Sequence, residues 1–329
     1  MVDGMDVRLL NLHDDCDMRL AYDIEDAANR AVRPGWQGSG AEARIAGWRA
    51  DDGWENRLFG AWEGEALVGF SSCMIHQDEP DTAWVFAWVL PDSQQRGFGT
   101  ALVKSAAMSA SPTTSRLLTR AYRPTFDDIA TLERRFLRPL GFSLATTETV
   151  VELDLRSVRL ADEPTVEGYS VISYVNGVPE DLRTAVGRIK GLVDSEAPNG
   201  ELAWVESPVT ASDYLDEVAR WNAQSSSAVE SLALDEHGNV AAWTCLVTAP
   251  AGGGDARIEG TLVLREHRGN GLGAAVKIAN LHAARALGDV GRVRTSSDDQ
   301  NIWMRAINSA LGFVPVESEG IFHRSLPSA

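Results

Sequence analysis

The sequence predicts an α/β protein, with α+β character and mixed sheets, built as two tandem domains of one plan. Three observations predict it. A strand–turn–helix segment occurs twice: residues 87–104 read AWVLPDSQQRGFGTALVK and residues 261–277 read TLVLREHRGNGLGAAVK, with Gly97 and Gly271 174 positions apart. Leu-Gly-Phe recurs at 140–142 and 311–313, 171 positions apart. Two landmarks at nearly one offset imply duplication of a whole domain, not a chance pair of glycines. Finally, 329 residues, 44% hydrophobic and 23% charged, suffice for two domains that each bury a core.

In chain order, residues 7–12 read as a short strand and 14–32 as a helix with Asp14 or Asp15 at its start, since a short acidic side chain accepts from the first free N–H groups. Residues 33–40 form a Gly-rich loop and 41–50 a second helix. Strands follow at 57–62, 66–75 and 82–90, the first two joined by the turn Glu63-Gly64-Glu65. The glycine turn then opens a helix over 97–109, with a strand at 115–121, a helix at 127–137 and a strand at 142–155. The polar stretch 156–168 reads as a linker, giving an N-terminal domain over 1–155 and a C-terminal domain over 169–329. In the second half the order repeats. Residues 170–174 are a strand, 179–193 and 212–224 helices, 229–234 and 240–247 a hairpin, and 256–264 the strand entering the turn. A helix over 271–286, a strand at 293–296 and a helix at 302–311, capped by Asp298, Asp299 or Asn301, complete it. Each sheet then has about six strands.

Composition narrows the function. Net charge is −17, with −9 in residues 1–155 and −8 in the rest, which disfavours nucleic acid as a partner because binding it needs a basic face. An acidic surface attracts a cationic small molecule, though solubility alone accounts for it. No apolar run approaches membrane-spanning length, and MVDGMDVRLL lacks the basic start and apolar stretch of a signal peptide, so no membrane is expected. Cys16, Cys73 and Cys245 are odd in number and far apart, which fits a reducing cytoplasm and neither a disulfide framework nor a CxxC metal site. The six histidines show no metal-ligand spacing, so no metal is expected.

A strand feeding a glycine turn that opens a helix is an anion site. The glycines let the backbone approach a ligand, and the first helical N–H groups have no partner inside the helix. Other phosphate and nucleophile motifs are missing: neither copy has a third spaced glycine with an acidic residue downstream, GK[ST] is absent, and so is GxSxG.

With Gln94-Gln95-Arg96-Gly97-Phe98-Gly99 and Arg268-Gly269-Asn270-Gly271-Leu272-Gly273 as [Gln/Arg]-x-x-Gly-x-Gly, both halves resemble the GNAT superfamily of N-acetyltransferases. The likeness covers nearly the whole chain and extends to the two-domain actinobacterial type whose architecture mycothiol synthase shares. It implies acetyl-CoA as acyl donor and a small, cationic primary amine as acceptor. The diphosphate would sit on the N–H groups of Gly269, Asn270, Gly271, Leu272, Gly273 and Ala274 beside Arg268. The pantetheine arm would run along Leu262 and Val263, and Asn301 would hydrogen-bond the cofactor from the start of the last helix. In the first half Val89, Gln94, Arg96, Gly97, Phe98, Gly99 and Thr100 hold the matching places.

An ammonium must lose its proton before it attacks a thioester, and a free alkyl amine has a pKa of about 10. A strand carboxylate is the usual base in this family, which puts Glu259 in that role; the other reading is a solvent-facing strand residue. Many relatives place a tyrosine acid four residues before the last Gly-Phe; here that position is Asn308, and Leu137 in the first half. The first half also has Val85 where the second has Glu259, and Ala130 where it has Asn301. The second half is therefore expected to catalyse, and the first to bind acetyl-CoA without turnover or to wall the substrate cleft. Glu196, Glu201 and Glu206 are candidate receivers of a cationic substrate. A non-catalytic acyl-CoA binder and a protein or peptide acetyltransferase remain alternatives, and the oligomer is left between monomer and homodimer.

Overall fold

In the computed structural model, which describes residues 5–36, 38–163, 165–202, 204–249 and 254–327, the chain divides into two units. Unit 1 is Met1–Thr147 with Glu317–Ala329, and unit 2 is Glu148–Val316.

Unit 1 starts with β1 (Met5–Leu9), followed by α1 (Asp15–Val32) and α2 (Ala41–Arg49). Asp14 begins α1 by accepting from the N–H groups of Cys16 and Asp17, leaving Asp15 and Asp17 in the first turn and Arg30 in the last, as the helix dipole favours. Met18, Ala21, Ile24 and Ala28 recur at helical spacing and are buried, the first three in one cluster with Ile45 and Trp48 of α2. Strands β2 (Trp54–Glu63), β3 (Ala66–His76) and β4 (Thr82–Val89) continue the sheet antiparallel. After α3 (Phe98–Met108) comes β5 (Arg116–Arg123), parallel to β4. Only Thr82, Ala83 and Trp84 pair with Arg116, Leu117 and Leu118; beyond them the two strands part. Next are α4 (Phe126–Leu132) and β6 (Ser143–Asp154). The single helix expected over 127–137 is instead α4, a wide turn over Glu133–Leu137 and a tight turn over Arg138–Leu140 with Pro139 inside it. Proline lacks the donor that a regular continuation needs.

Unit 2 repeats the plan with β7 (Tyr169–Val175), α5 (Glu180–Glu196), α6 (Ala211–Ala223), β8 (Ala228–Asp235), β9 (Val240–Thr248), β10 (Asp255–Val263), α7 (Leu272–Ala286), β11 (Arg292–Asp298), α8 (Ile302–Ala310) and β12 (Val314–Ser325). Thr210 and Asp213 form a reciprocal capping box at α6. Asn301 caps α8, accepting from Met304 N–H at 3.1 Å. Strands β10 and β11 are parallel, again paired only at their first residues, Asp255–Arg257 with Arg292–Arg294. One core lies between α5, α6 and the sheet around Tyr214, Trp221 and Trp243; another lies beneath α7 around Leu281, Val293 and Phe313.

Each sheet takes its last strand from the other stretch of sequence. Glu148–Asp154 of β6 pairs antiparallel with β11 in unit 2, and Ser318–Ser325 of β12 pairs antiparallel with β5 in unit 1. The division thus differs from the contiguous halves 1–155 and 169–329 with a linker at 156–168. Strand β12 is itself an element missing from the sequence reading. Glu317, Ser318 and Glu319 are buried in it, and a polar run of that kind hides the apolar alternation by which strands are read.

Candidate active site

The two glycine turns are built alike. Gly97 precedes α3 at φ 93° and Gly271 precedes α7 at φ 76°, left-handed conformations that only glycine adopts without cost. Neither helix has a side-chain cap, so the N–H groups of its first turn point out of the helix. The second glycine serves packing. A Cβ on Gly99 would sit 3.3 Å from the Phe136 ring, and one on Gly273 3.3 Å from Ile307 Cδ1, so a larger residue at either place would press on the following helical segment. The leading polar residue ties the turn to its strand: Gln94 donates from Nε2 to the Val89 carbonyl at 3.1 Å, and Arg268 from Nε to the Val263 carbonyl at 3.1 Å. Asn270 donates to the carbonyl of His267 at 3.0 Å, and His267 Nδ1 lies 3.0 Å from the Tyr169 hydroxyl.

The halves diverge in the strand before the turn. β10 has a β-bulge between Ile258 and Gly260, making Glu259 the extra residue, whereas β4 runs against β3 without a register shift. Past the bulge, Gly260–Val263 pair with β9 on one side and, among the described residues, have no strand on the other, because β11 has parted from them. Their outward amide and carbonyl groups form an open edge leading to the turn. Glu259 is ion-paired with Arg257 on the same strand face, its side chain partly exposed.

Across that opening, Asn301 spends its side-chain oxygen on capping α8, and its amide nitrogen makes no hydrogen bond to the described residues. Asn308 is buried, and both polar atoms of its amide lack a partner among the described residues, a costly arrangement unless something else meets them. Lys277 on α7 is fully enclosed. Its Nζ is 3.8 Å from Met304 Sδ and 5.6 Å from the Phe313 ring centre, and burial pushes the ammonium down to about 7. Sequence reading did not single out this burial, since a lysine at a helix position facing inward looks like any surface lysine.

Glu196, expected as a receiver of cationic substrate, is instead engaged with the turn. It takes hydrogen bonds from Arg265 Nε at 2.8 and 2.9 Å and from Arg268 Nη2 at 2.9 Å. Arg265 first, then Arg268, holds its carboxylate below the usual range. Arg96 of the first turn is likewise held by Glu63. Glu201 and Glu206 are exposed. Ala130 lies within α4, and it is Thr125 that caps this helix as Asn301 caps α8, accepting from Asp128 N–H at 3.2 Å.

An acyl-CoA fits these residues. Cβ atoms on Gly269 and Gly271 would meet nothing within 4 Å, leaving open space over the first N–H groups of α7. The unpaired β10 edge and the orphaned Asn308 amide supply polar groups in need of partners. Among the described residues, no helix is long and apolar enough to cross a membrane, and no group of three or more His, Cys, Asp and Glu is placed to hold a metal ion.

The model of the acetyltransferase (GNAT) family matches residues 21–142 and 198–313. A tandem GNAT protein from the clavulanic acid biosynthesis pathway, solved without AcCoA, is 22% identical and superposes with a TM-score of 0.77, over 99% of this chain and 100% of that one. A GCN5-related N-acetyltransferase from Sphaerobacter thermophilus is 16% identical, with a TM-score of 0.69 over 100% of this chain and 98% of that one. No curated protein matches.

Proposed function

The chain belongs to the acetyltransferase (GNAT) family, and from that premise we propose that unit 2 transfers an acetyl group from acetyl-CoA to the primary amine of a small cationic molecule. The observation that carries this reading is the bulge at Glu259 followed by the unpaired edge Gly260–Val263 and the uncapped start of α7.

Acetyl-CoA, when bound, supplies an acyl thioester. The N–H groups at the start of α7 hold its phosphates, and the helix dipole favours their charge. The open edge of β10 aligns the arm and offers an N–H to the oxygen on which charge develops. Glu259 takes a proton from the incoming ammonium, directly or through one water. A thiolate leaves readily because its conjugate thiol has a pKa of about 8.5, so the absence of a tyrosine at Asn308 does not stop turnover. The net charge of −17 favours a cationic acceptor.

The test is thiol release from acetyl-CoA over a library of amines and peptides, with wild type and Glu259→Gln. Loss of turnover by about 100-fold or more, with coenzyme A affinity retained, is the expected result for a base. Wild-type turnover in Glu259→Gln removes Glu259 from the mechanism, and transfer to peptides alone removes the small-molecule acceptor.

A further inference from the structure

Unit 1 contains a cavity of about 490 Å³ where β4 and β5 part, lined by aromatic rings and guanidinium groups beside Val89 and Gln94. Trp84, Phe86 and Trp88 of β4 stack along one strand face, with ring centres 6.0 and 5.8 Å apart and planes within 4° and 22°. Phe86 and Trp88 line the cavity together with Trp36, Tyr122 and Phe136, and all five rings are only partly covered by protein.

The cavity is also lined by four guanidinium groups, of Arg33, Arg44, Arg120 and Arg123. Arg44 is paired with Glu25 at 2.8 and 2.9 Å, Arg33 with Glu317, and Arg120 with Glu319 at 3.3 Å. Arg123 has no carboxylate at ion-pair distance among the described residues. Its one hydrogen bond goes from Nη1 to the Tyr122 carbonyl at 2.6 Å, so most of its donors are unspent. A half-buried guanidinium with unspent donors is costly unless an anion meets it. Meanwhile β4 has no bulge, and Arg96 of the nearby turn is occupied by Glu63.

We propose that this cavity binds a small aromatic carboxylic acid, with its ring on Phe86 and Trp88 and its carboxylate on Arg123. The volume suits a ligand of that size, and the unspent donors of Arg123 match a single carboxylate. Flat faces favour a flat body, since offset stacking adds to simple burial. The site is separate from the one in unit 2 that the proposed transferase reading uses.

The experiment titrates the full chain with 2-naphthoate, its neutral isostere 2-naphthamide, benzoate and indole-3-acetate, followed by calorimetry and tryptophan emission. We expect saturable binding of the acids, with naphthamide at least about tenfold weaker than naphthoate. Arg123→Met should erase that preference and Arg123→Lys keep part of it, while Trp88→Leu weakens acid and amide alike. Circular dichroism and thermal melting establish that each variant is folded; should Arg123→Met fail to fold, Arg123→Lys and Trp88→Leu carry the comparison. Glu259→Gln should leave naphthoate binding unchanged, which separates this site from the transferase reading. No saturable binding by any of the three acids overturns the proposal. So do equal affinities for naphthoate and naphthamide, an Arg123→Met chain with the wild-type preference, or displacement of naphthoate by saturating coenzyme A.

Discussion

Arg33 and Glu317 lie 284 residues apart in the sequence and meet through two buried hydrogen bonds, Nε to Oε1 at 2.9 Å and Nη2 to Oε2 at 2.7 Å. Their side chains are 10% and 2% exposed, and the guanidinium also lies 4.4 Å from the Trp36 ring centre and 4.1 Å from that of Tyr122. The pair fastens the end of α1 to the returning strand β12 within unit 1. Removing one partner strands the other charge away from water. Glu317→Ala should therefore cost about 3–5 kcal/mol in chemical denaturation, and Arg33→Met with Glu317→Leu should recover much of it. A double variant as unstable as Glu317→Ala would mean the pair is not the source of the loss.

Gly271→Ala forces an L-residue to φ 76°, at about 1–2 kcal/mol. Gly288 sits at φ 88° with room for a Cβ, so Gly288→Ala is the matched control for backbone strain. Calorimetry with coenzyme A should show at least about tenfold weaker binding for Gly271→Ala and none of that change for Gly288→Ala. Equal affinities would remove the turn from the phosphate site.

Asn308→Leu replaces a buried amide that has no partner among the described residues. Without ligand the variant should melt at the wild-type temperature or above it, because about 1–3 kcal/mol of desolvation penalty disappears. With saturating acetyl-CoA the ranking should reverse if the amide meets the carrier. Thermal shifts with and without ligand measure both.

Lys277→Met tests the enclosed lysine. Its ammonium, near 10.5 unfolded and pushed down to about 7 folded, is penalised in full below pH 7. Between about pH 7 and 10.5 the unfolded chain binds the extra proton, so the native protein gains stability as pH rises. Lys277→Met should consequently be more stable than wild type by a few kcal/mol, roughly, near pH 6, with the gap closing toward pH 10. Urea midpoints at several pH values read this directly. A gap independent of pH would point to packing and not to charge.

The glycine turns, their flanking strands and the helices after them were legible because each depends on a few adjacent residues whose conformational needs are distinctive. Gly97 and Gly271 adopt the expected left-handed turns, and Asp14 and Asn301 cap the expected helices. Features set by distant residues were not legible. Glu196 reads as a loop carboxylate until Arg265 and Arg268 arrive beside it. Strand β12 reads as polar because the partner that makes Glu317 tolerable lies near the opposite end of the chain. The bulge at Glu259 shows only in the register of β10 against β9, which the residues of β10 alone do not fix.

The borrowed strand in unit 1 dictates an order of assembly during synthesis. Ser318–Ser325 leave the ribosome after all of unit 2, so the part of unit 1 translated before it waits at five strands until unit 2 has been read. Unit 2, whose borrowed strand precedes it, holds all of its own pieces once Val316 has emerged. What is begun first is finished last, and a nascent chain released early keeps an unpaired β5 edge that invites other chains to fill it.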